Sequence, residues 1–278
     1  MRNSFGPIGF FDSGVGGTSV WSAVHTLLPN ESTIYVADSV HAPYGERSKE
    51  EILALSIKNT DFLISKGCKL IVVACNTATT NAIAELREKY NMPFIGIEPA
   101  IKPAALQTQT GKVGLLATKG TLGSALFHKT VHENAVGVEI IEQEGTGLVA
   151  LIEGGFAEGD EVYQLLESYL LPMKEKGIDR LVLGCTHYPS LIPAIKKILP
   201  KHIEIIDAAG AVAKQTKNIL EKEGLLSVLK ASNSVEVLEN DGRNHEPKHV
   251  FYSNGSTAVL KRFIPALVEV KLLYSSDF

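Results

Sequence analysis

The apolar positions of this chain come in short continuous runs and not in alternation. Residues 8–11, 33–37, 70–74, 94–97, 113–117 and 181–183 form such runs, bounded mostly by small polar, Gly, Pro or charged residues, and Ile203-Glu204-Ile205-Ile206-Asp207 reads as a last strand. A four-to-six-residue apolar run with loop chemistry at its ends reads as a strand buried on both faces, the pattern of a parallel sheet. Between the runs the spacing changes to that of helices, predicted over 18–28, 48–66, 80–89, 160–176 and 208–222. The second carries Ile52, Leu55, Phe62 and Leu63 on one face and opens on Ser48 with Glu51 three residues on, a capping box. Residues 249–253 read as a further strand, with a helix over 256–267 behind it. Residues 225–248 are polar and receive no assignment, and 275–278 read as a loose tail. Strands alternating with helices imply an α/β fold with parallel sheets.

The order of the runs suggests a duplication. Residues 8–11 lead into Asp12-Ser13-Gly14-Val15-Gly16-Gly17, and 113–117 lead into Thr118-Lys119-Gly120-Thr121-Leu122-Gly123. A strand ending on a Cys follows at a similar remove in each case: Cys75 lies 63 residues after Asp12, and Cys185 lies 67 after Thr118. Glu98-Pro99-Ala100-Ile101-Lys102-Pro103 interrupts the pattern and reads as a boundary. The expected organisation is two similar parallel-sheet α/β domains with the active site in the cleft between them. The first comprises residues 1–98 together with 211–278, and the second residues 99–210.

Composition narrows the classes. At 278 residues, 45% hydrophobic, 21% charged and a net charge of −4, the chain can build a sizeable core. It lacks the basic stripe of a nucleic-acid binder. No apolar run approaches the ~18 residues of a membrane span, and the first residues lack the apolar stretch of a secretory signal. Three cysteines make no disulfide framework, and free thiols fit a reducing cytoplasm. The Gly-rich turn at 12–17 has neither the Lys-Ser/Thr of a Walker loop nor the third Gly of a dinucleotide fingerprint. It fits an anion-binding turn ahead of a helix.

The chemistry rests on the two strand-ending thiols, because ligands of open α/β sheets bind beyond the carboxyl ends of the strands. Three uses are open. Cys75, Cys185 and His187 could supply three zinc ligands, although the spacing is not the C-x-x-C pairing of structural zinc sites. A Cys75–Cys185 disulfide would be redox chemistry without a C-x-x-C motif. Proton transfer in both directions at one carbon needs a base on each face, and a thiol of ordinary pKa near 8.5 can be brought to serve as either acid or base. Cys68, in the turn Lys66-Gly67-Cys68-Lys69, reads as a spare thiol. His25, His41, His128, His132, His202, His245 and His249 show no partner pattern.

Four ordered segments then resemble one family. Phe11-Asp12-Ser13-Gly14-Val15-Gly16-Gly17, Ala42-Pro43-Tyr44-Gly45, Ala74-Cys75-Asn76-Thr77-Ala78 and Leu183-Gly184-Cys185-Thr186-His187-Tyr188-Pro189 match the glutamate racemases. These interconvert L- and D-glutamate without a cofactor and supply D-glutamate for the cell wall. The resemblance implies that Cys75 and Cys185 are the acid/base thiols, Cys75 for D-glutamate and Cys185 for L-glutamate. Asp12 would assist Cys75, and His187 and Glu153 would assist Cys185. Asp12, Ser13, Tyr44, Gly45, Asn76, Thr77, Thr186 and His187 would bind substrate, with Thr118 a further candidate. It implies no cofactor and no metal, glutamate as the partner molecule, no nucleic acid and no membrane, and it is compatible with a homodimer. The runner-up readings are a racemase for aspartate or another amino acid, and a dicarboxylate binder without turnover. One departure is visible: many members carry Cys-Pro just before the segment 148–153, where this chain reads Glu144-Gly145-Thr146-Gly147. The few residues ahead of the first strand also predict no N-terminal extension of the kind through which some members respond to a cell-wall precursor.

Overall fold

In the computed structural model, which describes residues 6–227 and 248–278, the strands assemble into two parallel sheets. The first contains β1 (Ile8–Asp12), β2 (Thr33–Ala37), β3 (Leu70–Val73), β4 (Phe94–Gly96), β9 (His249–Ser253) and β10 (Lys271–Tyr274), in the order β10-β9-β2-β1-β3-β4. The second contains β5 (Lys112–Ala117), β6 (Glu139–Glu144), β7 (Arg180–Gly184) and β8 (Glu204–Ile206), in the order β6-β5-β7-β8. The duplication is therefore one of topology: β2-β1-β3-β4 and β6-β5-β7-β8 have the same order. Each cysteine follows the strand beside the central one. Phe11 of β1 lies opposite Val73 of β3, and Leu116 of β5 opposite Leu183 of β7. Both thiols thus emerge at the carboxyl edge of a sheet.

Helices cover the sheets, which is why β1, β2, β3 and β7 are buried along their whole length. In the first half these are α1 (Thr18–Leu27), α2 (Lys49–Ser65) and α3 (Asn76–Lys89). The second half holds α4 (Ile101–Gln107), α5 (Lys119–Leu122), α6 (Ala125–Asn134), α7 (Leu148–Glu153), α8 (Asp160–Glu175) and α9 (Ile192–Ile198). α10 (Ala209–Lys222) crosses back to pack on α1, and α11 (Thr257–Arg262) follows β9. The capping box at Ser48 is complete, with both side-chain to backbone hydrogen bonds formed.

The structure corrects several expectations. α3 begins at Asn76 and not near Thr80, because the Cys75 side chain itself accepts the Ala78 N–H and caps the helix. A helix-poor first turn, Asn-Thr-Ala-Thr, is thereby held helical by its cap. β6 and α6 fill a stretch that carries no clear periodicity; β6 is an edge strand with charged residues facing out, so its apolar signal is weak. α11 stops at Arg262, five residues short of the expected end, and β10 follows on the sheet edge. The tail is not loose: Phe278 is buried against Phe62, 5.0 Å between ring centroids, and its carbonyl accepts from Asn254. Burying one aromatic side chain contributes roughly 1.5–3 kcal/mol, enough to dock a short tail. Of the unassigned polar stretch, residues 228–247 lie outside the described residues. Two of the histidines set aside have partners, His41 with Asp38 and His249 with Thr33.

Candidate active site

The two thiols border one small cavity. From the first half, Ser13, Tyr44, Gly45, Cys75, Asn76 and Thr77 reach it; from the second, Thr118, Cys185, Thr186 and His187 do. Pro43 and Val149 also line it, and neither was singled out from the sequence. Thr77 and Thr118 meet across the cleft, 2.8 Å between hydroxyl oxygens, and Asn81 donates to the Gly120 carbonyl at 2.9 Å. The sheet topology explains the convergence. The carboxyl edges of both sheets face each other, so the loop after each strand contributes to one space.

The environments of the two sulfurs differ. Cys75 is buried; its Sγ accepts the Ala78 N–H at 3.4 Å and donates to Ser13 Oγ at 3.8 Å. Burial first, and the Asp12 charge second, push this thiol well above its ordinary value. Asp12 is fully buried under the cavity wall. Its carboxylate accepts the Gly14 N–H at 2.8 Å and the Thr186 hydroxyl at 2.9 Å, so it ties the first half to the loop of Cys185. Burial raises Asp12 to about 6, against the opposing pull of the His187 charge.

On the other side the Cys185 sulfur lies 3.7 Å from His187 Nδ1, and His187 Nε2 lies 2.6 Å from Glu153 Oε1. Burial alone would lower the imidazole, but hydrogen bonds to Cys185 and Glu153 outweigh it and hold His187 well above its ordinary value. Burial likewise pushes Glu153 up, and the His187 bond and charge more than offset it, leaving the carboxyl low. The outcome is a buried carboxylate–imidazolium pair on one sulfur and a carboxyl that titrates near 6 beside the other.

The Gly-rich turn does bind an anion, and the anion is the chain's own Glu153: Val15 N–H donates to Glu153 Oε1 at 2.7 Å. Ser39 donates to Oε2 at 3.1 Å. Glu153, on α7 of the second half, is thus gripped by two groups of the first. Glycine is required where these elements meet. A Cβ on Gly14 would stand 1.8 Å from Glu153 Oε1, and one on Gly16 would stand 2.4 Å from His187 Nδ1. The departure at 144–147 has a packing reason of the same kind. A Cβ on Gly145 would meet the Tyr188 hydroxyl at 2.3 Å, and Tyr188 donates to the Gly145 carbonyl at 3.2 Å.

Not every expected residue faces the cavity in the way the sequence suggests. Asp12 and Glu153 stand behind its wall. Tyr44 lines it, but its hydroxyl points away, donating to Asp38 and accepting from Asn59 at 3.0 Å. Burial, then the Asp38 charge, keep this phenol protonated. Asp38, Ser39 and Asn254 enter the site's support without having been picked out. Asp38 and Ser39 follow β2, and Asn254 follows β9, at the same carboxyl edge, a positional signal that was available for all three. No group of three or more His, Cys, Asp or Glu side chains among the described residues is arranged to hold a metal ion, and no helix among them is long and apolar enough to cross a membrane.

Two parallel-sheet halves of the same strand order, bordering one cavity with one thiol presented from each, define the class of α/β protein to which this fold belongs. The Asp/Glu/Hydantoin racemase family model matches residues 17–216, and the chain belongs to that family. It is 47% identical over 228 residues to the glutamate racemase of Ectopseudomonas mendocina, an alignment covering 82% of this chain and 87% of that one. A glutamate racemase structure from Bacillus anthracis superposes with a TM-score of 0.80 at 33% identity, covering 96% of both chains. One from Francisella tularensis, in complex with D-glutamate, gives 0.81 at 29% identity and covers 99% of this chain and 98% of that one.

Proposed function

We propose that this chain is a glutamate racemase that moves the α-proton between two thiols. The observation carrying this reading is that Cys75 and Cys185, from opposite halves, border one cavity, each with its own titrating partner. The glutamate racemases among its relatives, at 47% identity, support the choice of substrate. In one direction the thiolate at residue 185 takes the α-proton of L-glutamate, and the bond electrons pass to the α-carbon and its carboxylate. The thiol at residue 75 then returns a proton to the opposite face. D-glutamate runs the reverse path. One thiol ends as thiolate and the other as thiol, so the pair is reset by the return reaction or by exchange with solvent.

Among the described residues, no Lys or Arg borders the cavity. The carboxylates are held instead by hydroxyls, by the Asn76 amide and by backbone N–H groups at the first turn of α3, which lack intrahelical partners. Donors fixed in a buried site cost no reorganisation when charge develops on the substrate. His187, kept cationic by Glu153, hands a proton to the Cys185 sulfur or takes one back. Asp12, titrating near 6, does the same service on the side of Cys75. The reading extends to two domains, residues 1–98 with 211–278 and residues 99–210, whose relative motion admits substrate. It also extends to a cytoplasmic role in supplying D-glutamate for peptidoglycan.

The test is incubation of the purified protein with L- and with D-glutamate in D2O, followed by chiral analysis and proton NMR. Formation of the other enantiomer with deuterium at the α-carbon is expected. Binding without exchange, or faster turnover of aspartate than of glutamate, overturns the proposal.

A further inference from the structure

The loop that follows β9 reaches the site from a part of the chain remote in sequence. Asn254 is buried there, and its side chain is bonded through both its amide and its oxygen. The amide donates to Asp38 Oδ1 at 2.5 Å and to the Phe278 carbonyl at 3.3 Å, and the oxygen accepts the Val40 N–H at 3.0 Å. Its neighbour Gly255 lies so close to the same turn that an added Cβ would stand 2.7 Å from the Ser39 Cβ. The turn at 38–41 therefore takes its shape from residues 254–255.

Two arms run from that turn into the site. Asp38, fully buried, accepts the Tyr44 hydroxyl and lies 2.6 Å from His41 Nδ1, which fixes the loop carrying Tyr44 and Gly45, both part of the cavity wall. Ser39 donates to Glu153, whose other oxygen meets His187. We propose that Asn254 is a positioning residue for the racemisation. It holds, through Asp38 and the 38–41 turn, both the Tyr44–Gly45 wall and the hydroxyl that braces Glu153. The proposal rests on the racemase reading. It adds a role for the C-terminal stretch, which carries none of the family segments.

The structure offers a reciprocal swap as the test. Asn254→Ala removes both polar contacts to the turn. Asn254→Asp keeps the Val40 acceptor but sets a carboxylate against that of Asp38. The double variant Asp38→Asn/Asn254→Asp restores an amide–carboxylate pair in reversed order, and the oxygen of the amide introduced at position 38 can still accept from Tyr44. Hydrogen-bonded neighbours of this kind couple strongly and non-additively. A loosened wall raises KM, whereas a mere loss of folded protein lowers kcat at constant KM. Asn254→Ala and Asn254→Asp are each expected to raise KM for both glutamate enantiomers by about fivefold or more. The double variant is expected to return within about twofold of the wild type.

Melting temperatures are recorded alongside, and if Asn254→Ala fails to fold, the Asp variant and the swap carry the test. Unchanged KM in the single variants, or a double variant no better than Asn254→Asp, overturns the proposal. Wild-type turnover of glutamate is measured in the same series. If it is absent, the racemase reading falls. Hydrogen exchange at the Val40 amide, protected in the wild type and exposed in Asn254→Ala, then still decides whether Asn254 holds the turn.

Discussion

Glu153→Gln separates the charge of the Glu153 carboxylate from its shape. Three donors converge on it: Val15 N–H at 2.7 Å, His187 Nε2 at 2.6 Å and the Ser39 hydroxyl at 3.1 Å. A glutamine in the same rotamer accepts the first two on its oxygen and turns its amide to Ser39, so the geometry survives and the charge does not. A hydrogen bond to a charged group contributes about 1.5–3 kcal/mol and a neutral one about 0.5–1.5. The imidazolium therefore loses about 1–1.5 kcal/mol of support, which corresponds to a fall of roughly 5- to 13-fold in kcat/KM. L- and D-glutamate have equal free energy in water, so that fall is the same in both directions, although kcat and KM can split differently.

The pH profile carries the sign. The mechanism needs His187 protonated, so activity declines as pH rises through its pKa. Loss of the carboxylate lowers that pKa, and the alkaline limb moves to lower pH. Stability follows the same logic. A histidine raised in the folded state gives stability that is fully present below its unfolded value and lost as pH rises through the folded one. Glu153→Gln flattens that dependence. Kinetics with both enantiomers from about pH 6 to 10, a range that brackets the ordinary histidine value and the region above it, with melting curves over the same range, measure both effects. A kcat/KM within about twofold of wild type and an unmoved alkaline limb would refute the coupling of Glu153 to His187.

Three further outcomes are expected. Cys75→Ala and Cys185→Ala each abolish racemisation; in D2O the Cys75 variant still labels L-glutamate with retention and leaves D-glutamate unlabelled, the Cys185 variant does the reverse, and labelling of both isomers by either variant rules out one base per face. Asp12→Asn is more stable but less active than wild type at about pH 8: burial raises Asp12 from 3.8 to about 6, so its ionisation costs about 3 kcal/mol as pH rises through that window. The stability gain should vanish near about pH 3.5 in urea titrations, below both values, and a variant less stable at about pH 8 contradicts it. Gly16→Ala drives a methyl into His187, so kcat should fall by an order of magnitude or more, in the range ascribed to a displaced general acid or base; unaltered kcat in a folded variant argues against the contact.

The local chain by itself determined the α/β class, most strands, the duplication and the two thiols. Continuous apolar runs have few other stable solutions than strands covered on both faces, and a residue that ends such a run must lie at the sheet's carboxyl edge. The edge elements were the hard ones. β6 and β10 are half-exposed edge strands, so packing against a neighbour, not sequence pattern, makes them strands. The start of α3 was hidden for a related reason: a cysteine rarely caps a helix, and only the fold turned the Cys75 sulfur toward the Ala78 N–H.

Tertiary structure alone decided the electrostatics. Asp12 and Glu153 were visible as acidic residues near motifs, yet one is held high by burial and the other low by an imidazolium. Those opposite outcomes depend on which residues the fold packs around each carboxyl: His187 lies 34 residues from Glu153, and the bonds Val15–Glu153 and Asp12–Thr186 span 138 and 174 residues. Desolvation and charge act over a few ångströms of space and take no account of sequence distance. The same holds for Tyr44, whose hydroxyl turned out to serve Asp38, and for Asn254, which ends a strand legible in the sequence but which only the fold sets against the turn that shapes the cavity.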